Sequence, residues 1–327
     1  MERSGTSAPG TIHFVTAGDH CYLVKAACLI QSFLATGSKG TFWFFAADAR
    51  AATIMRRLAL PGLRLVEEPE YQTPALRHLK TRRTALEYSC TAKPIILQHV
   101  MKTAASGEWV VWLDGDMFFF QPAQFIVPTG EASVLLTEHH FTPAFAHYRP
   151  TVGTFNAGLV AFRKTPAGTA CLNFWAQQCL EWCGEVPEAI RYTDQKYLES
   201  FADQGGEVAR AQSLGVNAGP WSTIERTIQR AGNKVFIGSD PLILYHFQGL
   251  RIIKPFLYDL YAERQVRLPV ALKELVYQPY VQALKEMFQR VRAIVPRFSA
   301  GTATGLRRSV LSPLKRLLLR QGNVLVA

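Results

Sequence analysis

The chain has no GxGxxG after its first apolar segment and no GxxxxGK[ST]. It therefore lacks the two commonest glycine-rich phosphate cradles, which weighs against a dinucleotide-dependent oxidoreductase and a P-loop NTPase. No stretch approaches the ~20 apolar residues of a membrane-spanning helix. The opening MERSGTSAPG lacks the basic start and apolar stretch of a signal peptide, so the expected location is the cytoplasm. Cysteine is sparse: six residues sit in apolar segments without CxxC spacing, the pattern of reduced core thiols rather than a disulfide framework. Cys171, Cys179 and Cys183 could share a helix face, but no histidine joins them, so no zinc site is expected.

Acid is scarce at one end. From residue 285 onward nine lysines and arginines stand against Glu286 alone, a local charge of +8 within a net charge of +11. A basic tail on a nearly balanced body points to an anionic partner, a membrane surface or a nucleic acid. No RRM, KH or helix-turn-helix pattern accompanies it, which weighs against nucleic acid. Ser312-Pro313 reads as a helix start and Gly322 as a stop. Between them Leu314, Leu317 and Leu318 share a face flanked by Lys315, Arg316 and Arg320, so the expectation is an amphipathic segment on the inner membrane face.

The 327 residues, 48% hydrophobic, suffice for one large α/β core. Strands are expected over residues 11–17, 41–48 and 63–68, with a helix over 22–34 between the first two. A further helix is expected over 91–101 with Pro94 in its first turn. Strands follow at 132–136, 158–162 and 242–247, with a helix over 166–183, an alternation that favours a mainly parallel sheet flanked by helices. The polar loop of about 18 residues before 158 is long enough to suggest an active-site element. Beyond 262 the pattern is helix only. The expected organisation is a main domain at 1–262, a helical extension at 263–294 and the basic tail at 295–327.

The stretch VVWLDGDMFFF, residues 110–120, places Asp114 and Asp116 where a buried strand ends. In an α/β sheet, ligands gather at the carboxyl ends of the strands, so acids there face the crevice. Two carboxylates brought together by a turn at Gly115 repel each other unless a cation sits between them, and a hard divalent ion suits oxygen ligands. A turn that merely ends a strand remains the plain alternative.

LDGD, FNAGLVAFR (155–163), DQKYL (194–198) and YHFQGLRIIKP (245–255) occur in an order that resembles the GT-A nucleotide-sugar glycosyltransferases, especially those like glycosyltransferase family 8, over residues 11–262. The resemblance implies a GT-A type sheet. It also implies that Asp114, Asp116 and His246, the last from an HxxGxxKP element, hold Mn²⁺ or Mg²⁺ on the diphosphate of a nucleotide sugar. Lys254 would clamp that diphosphate, with Gly249 allowing close approach. Asn156 and Gly158 look like the sugar-binding turn, and Asp194 and Gln195 the acidic pair near the reacting carbon, where helix capping by Thr193 or Asp194 is the alternative. Lys93 could reach the donor phosphates or be a solvated surface lysine. Thr16, Ala17 and Tyr22 fall where the family holds the nucleotide base, Tyr22 as a stacking face or a core aromatic. Two positions depart from the family: Lys196 stands where an acid is common, and Phe256 where a tryptophan is.

The expected function is metal-dependent transfer of a sugar, UDP-linked, to a hydroxyl of a glycan or glycolipid acceptor, with retention implied by the resemblance. A nucleotidyltransferase with a related sheet and a basic nucleic-acid-binding protein are the alternatives. Against the former, TAGDHCY is a poor phosphate loop.

Overall fold

The segment IHFVTAG forms β1 (Ile12–Gly18), followed by α1 (Leu23–Ala35), β2 (Thr41–Ala46), α2 (Ala49–Leu58) and β3 (Leu63–Val66). The computed structural model describes residues 11–205, 207–262, 266–302 and 323–327. Asp19 closes the turn out of β1, its Oδ1 accepting from the amides of Cys21 and Tyr22 at 2.9 Å each. Asp48 caps α2 by accepting from the Ala51 amide at 2.7 Å.

The helix expected over 91–101 runs instead from Ala85 to Thr103, with Pro94 in its interior. Its start is fixed by a capping box, in which the Thr84 hydroxyl accepts from the Glu87 amide and the Glu87 carboxylate accepts from the Thr84 amide. A proline inside the helix cannot donate to the carbonyl of Cys90. Burial of the helix on both sides of that position, from Tyr88 to Met101, offsets the missing bond.

The remaining strands of the main sheet are β4 (Trp109–Leu113), β6 (Val134–Glu138), β7 (Phe155–Arg163) and β8 (Val208–Arg210), with the short β5 (Met117–Phe119) outside it. The order is β3-β2-β1-β4-β7-β6-β8. Only β7 runs antiparallel to its neighbours; the other pairings are parallel. Side chains alternate between two cores. Phe14, Phe44 and Val111 pack towards α1 and α2, whereas Val15, Phe45 and Val110 pack towards Ala85–Thr103 and Pro166–Glu181.

The helical extension lies against this body. The helix Gln278–Ile294, with Pro279 in its first turn, buries Tyr280, Leu284, Phe288 and Val291, and Arg290 donates to Gln31 of α1 at 2.8 Å. The described parts of 295–327 also join the body. Phe298 is buried, Thr302 bridges Ile252, and the strand Val324–Val326 pairs with Leu257–Asp259. The expected amphipathic segment after Ser312 lies outside the described residues. Among the described residues no helix is long and apolar enough to cross a membrane.

Candidate active site

Three strand ends meet at one point. β4 stops at Leu113, and the amide of Asp114 donates to the carbonyl of Gly158 at 2.9 Å. Because β7 is antiparallel, its beginning lies beside the end of β4, which brings Asn156, Ala157 and Gly158 to the acids. The chain then enters β5, which pairs antiparallel with Leu244–His246 and sets His246 opposite Met117. The amide of Phe247 donates to the Asp116 carbonyl at 2.9 Å, so backbone pairing fixes His246 beside both acids.

Each carboxylate gives one oxygen to a lysine and turns the other towards His246. Asp114 Oδ1 accepts from Trp112 Nε1 at 2.7 Å and lies 3.2 Å from Lys93 Nζ, while its Oδ2 is 3.9 Å from His246 Nε2. Asp116 Oδ2 lies 3.7 Å from Lys25 Nζ and its Oδ1 3.2 Å from His246 Nε2. Tyr22 lines the same cleft as Asp116. Burial alone would raise the Asp116 pKa, but His246, Lys25 and Tyr22 hold it well below the usual carboxylate range. For His246, burial pulls the imidazole down and the carboxylates of Asp116 and Asp114 outweigh it, so the net shift is upward.

Among the described residues no group of three or more His, Cys, Asp or Glu side chains is arranged, as it stands, to hold a metal ion. The donor set still suits a cation shared with a ligand. One oxygen from each aspartate and His246 Nε2 converge at 3.9 and 3.2 Å. That compares with roughly 3 Å between adjacent ligands of an octahedral ion with bonds of about 2.1 Å, and it leaves positions open to phosphate oxygens.

Lys93 is 5% exposed, and its ammonium donates to the Ala157 carbonyl at 3.0 Å and forms an ion pair with Asp194 Oδ2 at 2.8 Å. Burial would lower its pKa, but Asp114 and Asp194 hold it well above the ordinary lysine value. The solvated alternative is thus not what the fold makes of it. Asp194 is buried, its carbonyl accepting from Trp175 Nε1 at 2.7 Å. Thr193 before it has φ 46°, a conformation that costs a β-branched residue energy and that recurs at functional sites. The 3₁₀ helix that follows, Lys196–Gln204, has no side-chain cap, so neither Thr193 nor Asp194 serves as one. Gln195 accepts from the Ala157 amide at 3.1 Å and donates to the Val152 carbonyl at 2.7 Å, pinning the start of β7. Lys196 donates to the carbonyls of Pro150 and Ala189 and so ties two loops together.

Asn156 Oδ1 accepts from the Gly158 amide at 2.9 Å and from Asn217 Nδ2 at 3.0 Å, while its own Nδ2 faces His139 Nε2 at 3.2 Å. Glycine is required at 158. A Cβ there would lie 2.6 Å from His246 Nδ1 and 2.7 Å from Asn156 Oδ1. His139 stacks on Phe141 with ring centres 4.4 Å apart and meets Trp221 edge-on, as His246 does. Burial pushes the His139 pKa down to about 4, which makes it a neutral ring at neutral pH.

These groups line a cleft of about 420 Å³. Of the residues singled out in the sequence, Asp114, Asp116, His246, Lys93, Asn156, Gly158, Asp194, Gln195, Tyr22 and Gly249 all border it. Thr16, Ala17 and Lys254 do not. Thr16 is fully buried, Ala17 pairs with Phe45 of β2, and Lys254 projects outward. In HxxGxxKP the lysine stands six residues after the histidine; here it stands eight after, and a register shift after Ile252 carries it away from the cleft. Lys25, Arg251 and His139 line the cleft without having been singled out. For Lys25 a signal existed: it is the one charged residue in the apolar helix LVKAACLIQSFLA.

No family model matches the sequence. The chain is similar to two proteins of Bacillus subtilis (strain 168), the uncharacterized proteins YfnD and YfnF. To YfnD it is 28% identical over 294 residues, covering 89% of this chain and 94% of that one. To YfnF it is 28% identical over 286 residues, covering 85% and 93%. Among solved structures, the galactosyltransferase LgtC in complex with donor and acceptor sugar analogs aligns with a TM-score of 0.52 at 15% identity, over 84% of this chain and 96% of that one. The fold is of the GT-A type. In that GT-A frame the cleft opens where the parallel strands β1 and β4 end, as an α/β ligand site should.

Proposed function

We propose that the protein is a metal-dependent glycosyltransferase that moves a sugar from a nucleoside diphosphate donor, UDP-linked by the resemblance, to a hydroxyl of a glycan or glycolipid, with retention at the anomeric carbon. The observation that carries this reading is the convergence of Asp114, Asp116 and His246 with Asn156, Asp194 and Gln195 on one cleft. The likeness to LgtC, which binds donor and acceptor sugar analogs, supports it.

Asp114, Asp116 and His246 would hold Mn²⁺ or Mg²⁺. Bound there, such an ion neutralises the charge that builds on a departing diphosphate. In the transfer the bond from the anomeric carbon to the diphosphate oxygen breaks, a bond to the acceptor oxygen forms, and the acceptor proton leaves to the nucleoside diphosphate or to solvent. Asp194, held by Lys93, offers a fixed carboxylate to the positive charge that develops on the sugar ring. Asn156 and the bare Gly158 give the sugar a polar edge and room to lie against the backbone. A nucleotidyltransferase would want free amides after β1, but the side chain of Asp19 already takes those of Cys21 and Tyr22. The excess of basic residues after 285 supports an acceptor at an anionic membrane surface, an association that salt would weaken.

The deciding experiment is hydrolysis of a panel of nucleotide sugars by the purified protein with Mn²⁺, Mg²⁺ or EDTA. Turnover of one donor, lost in EDTA, is the expected result. No turnover of any donor with either metal overturns the reading.

A further inference from the structure

We propose that Lys25 of α1 is the cation that grips the donor diphosphate in this chain, in the role the sequence offers to Lys254. The inference rests on the cleft being a nucleotide-sugar site. Two lysine ammonium groups reach the acids, and they differ in what they have left to give. Lys93 is already committed: it donates to Ala157 O at 3.0 Å and forms close ion pairs with Asp194 Oδ2 at 2.8 Å and Asp114 Oδ1 at 3.2 Å. Lys25 donates to the Leu250 carbonyl at 3.1 Å, and its approach to Asp116 Oδ2, 3.7 Å, is an ion pair too long for a hydrogen bond. Lys25 therefore keeps donors free beside the proposed metal ligands, with its side chain only 14% exposed.

Its surroundings fit an anionic ligand lying along the backbone. The ammonium sits 5.0 Å from the centre of the Tyr22 ring, on the cleft wall that also carries Gly249, Leu250 and Arg251. Gly249, at φ 82°, leaves that stretch of the wall without a side chain. Lys254 cannot share the task from where it stands. Ile252 and Ile253 are both buried, and the register shift between Ile252 and Lys254 leaves the lysine exposed outside the cleft. Lys254 stands two residues further from His246 than the HxxGxxKP spacing has it, and α1 supplies another lysine beside Leu250.

The test measures binding of UDP, GDP and dTDP, each beside its parent nucleoside, by calorimetry on the full chain with Mn²⁺ and with EDTA. The proteins are the wild type, K25M, K25R and K254M. K25M should weaken the preferred nucleoside diphosphate about tenfold or more, the scale of one charge-assisted contact. It should leave the nucleoside unchanged; K25R should recover part of the loss, and K254M should stay within about twofold of the wild type. The proposal falls if K25M binds the diphosphate normally, if diphosphate and nucleoside weaken in parallel, or if K254M shows the larger loss. A wild-type protein that binds no nucleoside diphosphate overturns the proposed function, and this inference with it.

Discussion

In one part of the cleft Lys93, Asp114, Asp116, Asp194 and His246 crowd their charges together, while in another His139, Phe141, Asn156 and Trp221 present rings and an amide. The charged side is held by mutual neutralisation, so removing one member leaves another buried without a partner. The uncharged side is held by ring packing and hydrogen bonds, and His139 belongs to it only while it is neutral. One part is thus built from paired charges, the other from rings and neutral hydrogen bonds.

The comparison is broken most severely at Asp116. Asp116→Asn leaves Lys25 and His246 without their carboxylate and should cut donor turnover by about 10²–10³-fold while circular dichroism stays native. A fully active variant would remove the acids from the mechanism. Asp194→Ala comes next: kcat should fall by about 10²-fold with donor affinity little changed, because the benefit arises mainly in the transition state. If kcat holds, Asp194 serves only to hold Lys93. Gly158→Ala acts where the two sides touch. The new methyl group would push His246 and Asn156 apart, for about 1–3 kcal/mol of stability and roughly tenfold in turnover, readable by thermal melting and kinetics.

The smallest effect sharpens the uncharged side. His139 in the folded chain titrates at about 4 against 6.5 unfolded, so below pH 6.5 the unfolded state takes a proton that the folded state refuses. Stability should fall by about 2 kcal/mol between pH 7 and pH 5 from this group. His246 acts in the opposite sense: its raised pKa adds stability below 6.5 that is lost as pH climbs through the folded value. Comparing the melting of wild type and His139→Gln across that range isolates the first contribution. Equal slopes would show that His139 is not the group responsible.

Much of this was legible in the chain because parallel strands buried on both faces are continuous apolar runs, and β1, β2 and β4 are such runs. The acids could be found because they interrupt one of those runs at its end. What stayed hidden depends on pairings between distant segments. The role of Lys25 needs residues 116 and 250 beside it, and those arrive through the pairing of β5 with Leu244–His246. The start of Ala85–Thr103 was overlooked because Pro94 is a louder signal than a Thr-Glu capping pair. The displacement of Lys254 has a trace in the chain, eight residues after His246 where HxxGxxKP has six, but the shift in register beside it belongs to two paired strands.

The antiparallel ladder between β4 and β7 also acts as a ruler. Leu113 faces Leu159, and this single match sets how far Gly158 lies from Asp114 and which atom stands beneath His246. A slip of one residue would turn every side chain of β7 to the other face and bring a methyl-bearing residue under the imidazole. The spacing between the acids and the Asn156 amide is therefore set by a ladder in the middle of the main sheet. Loop changes around the cleft can alter what enters it without resetting that distance.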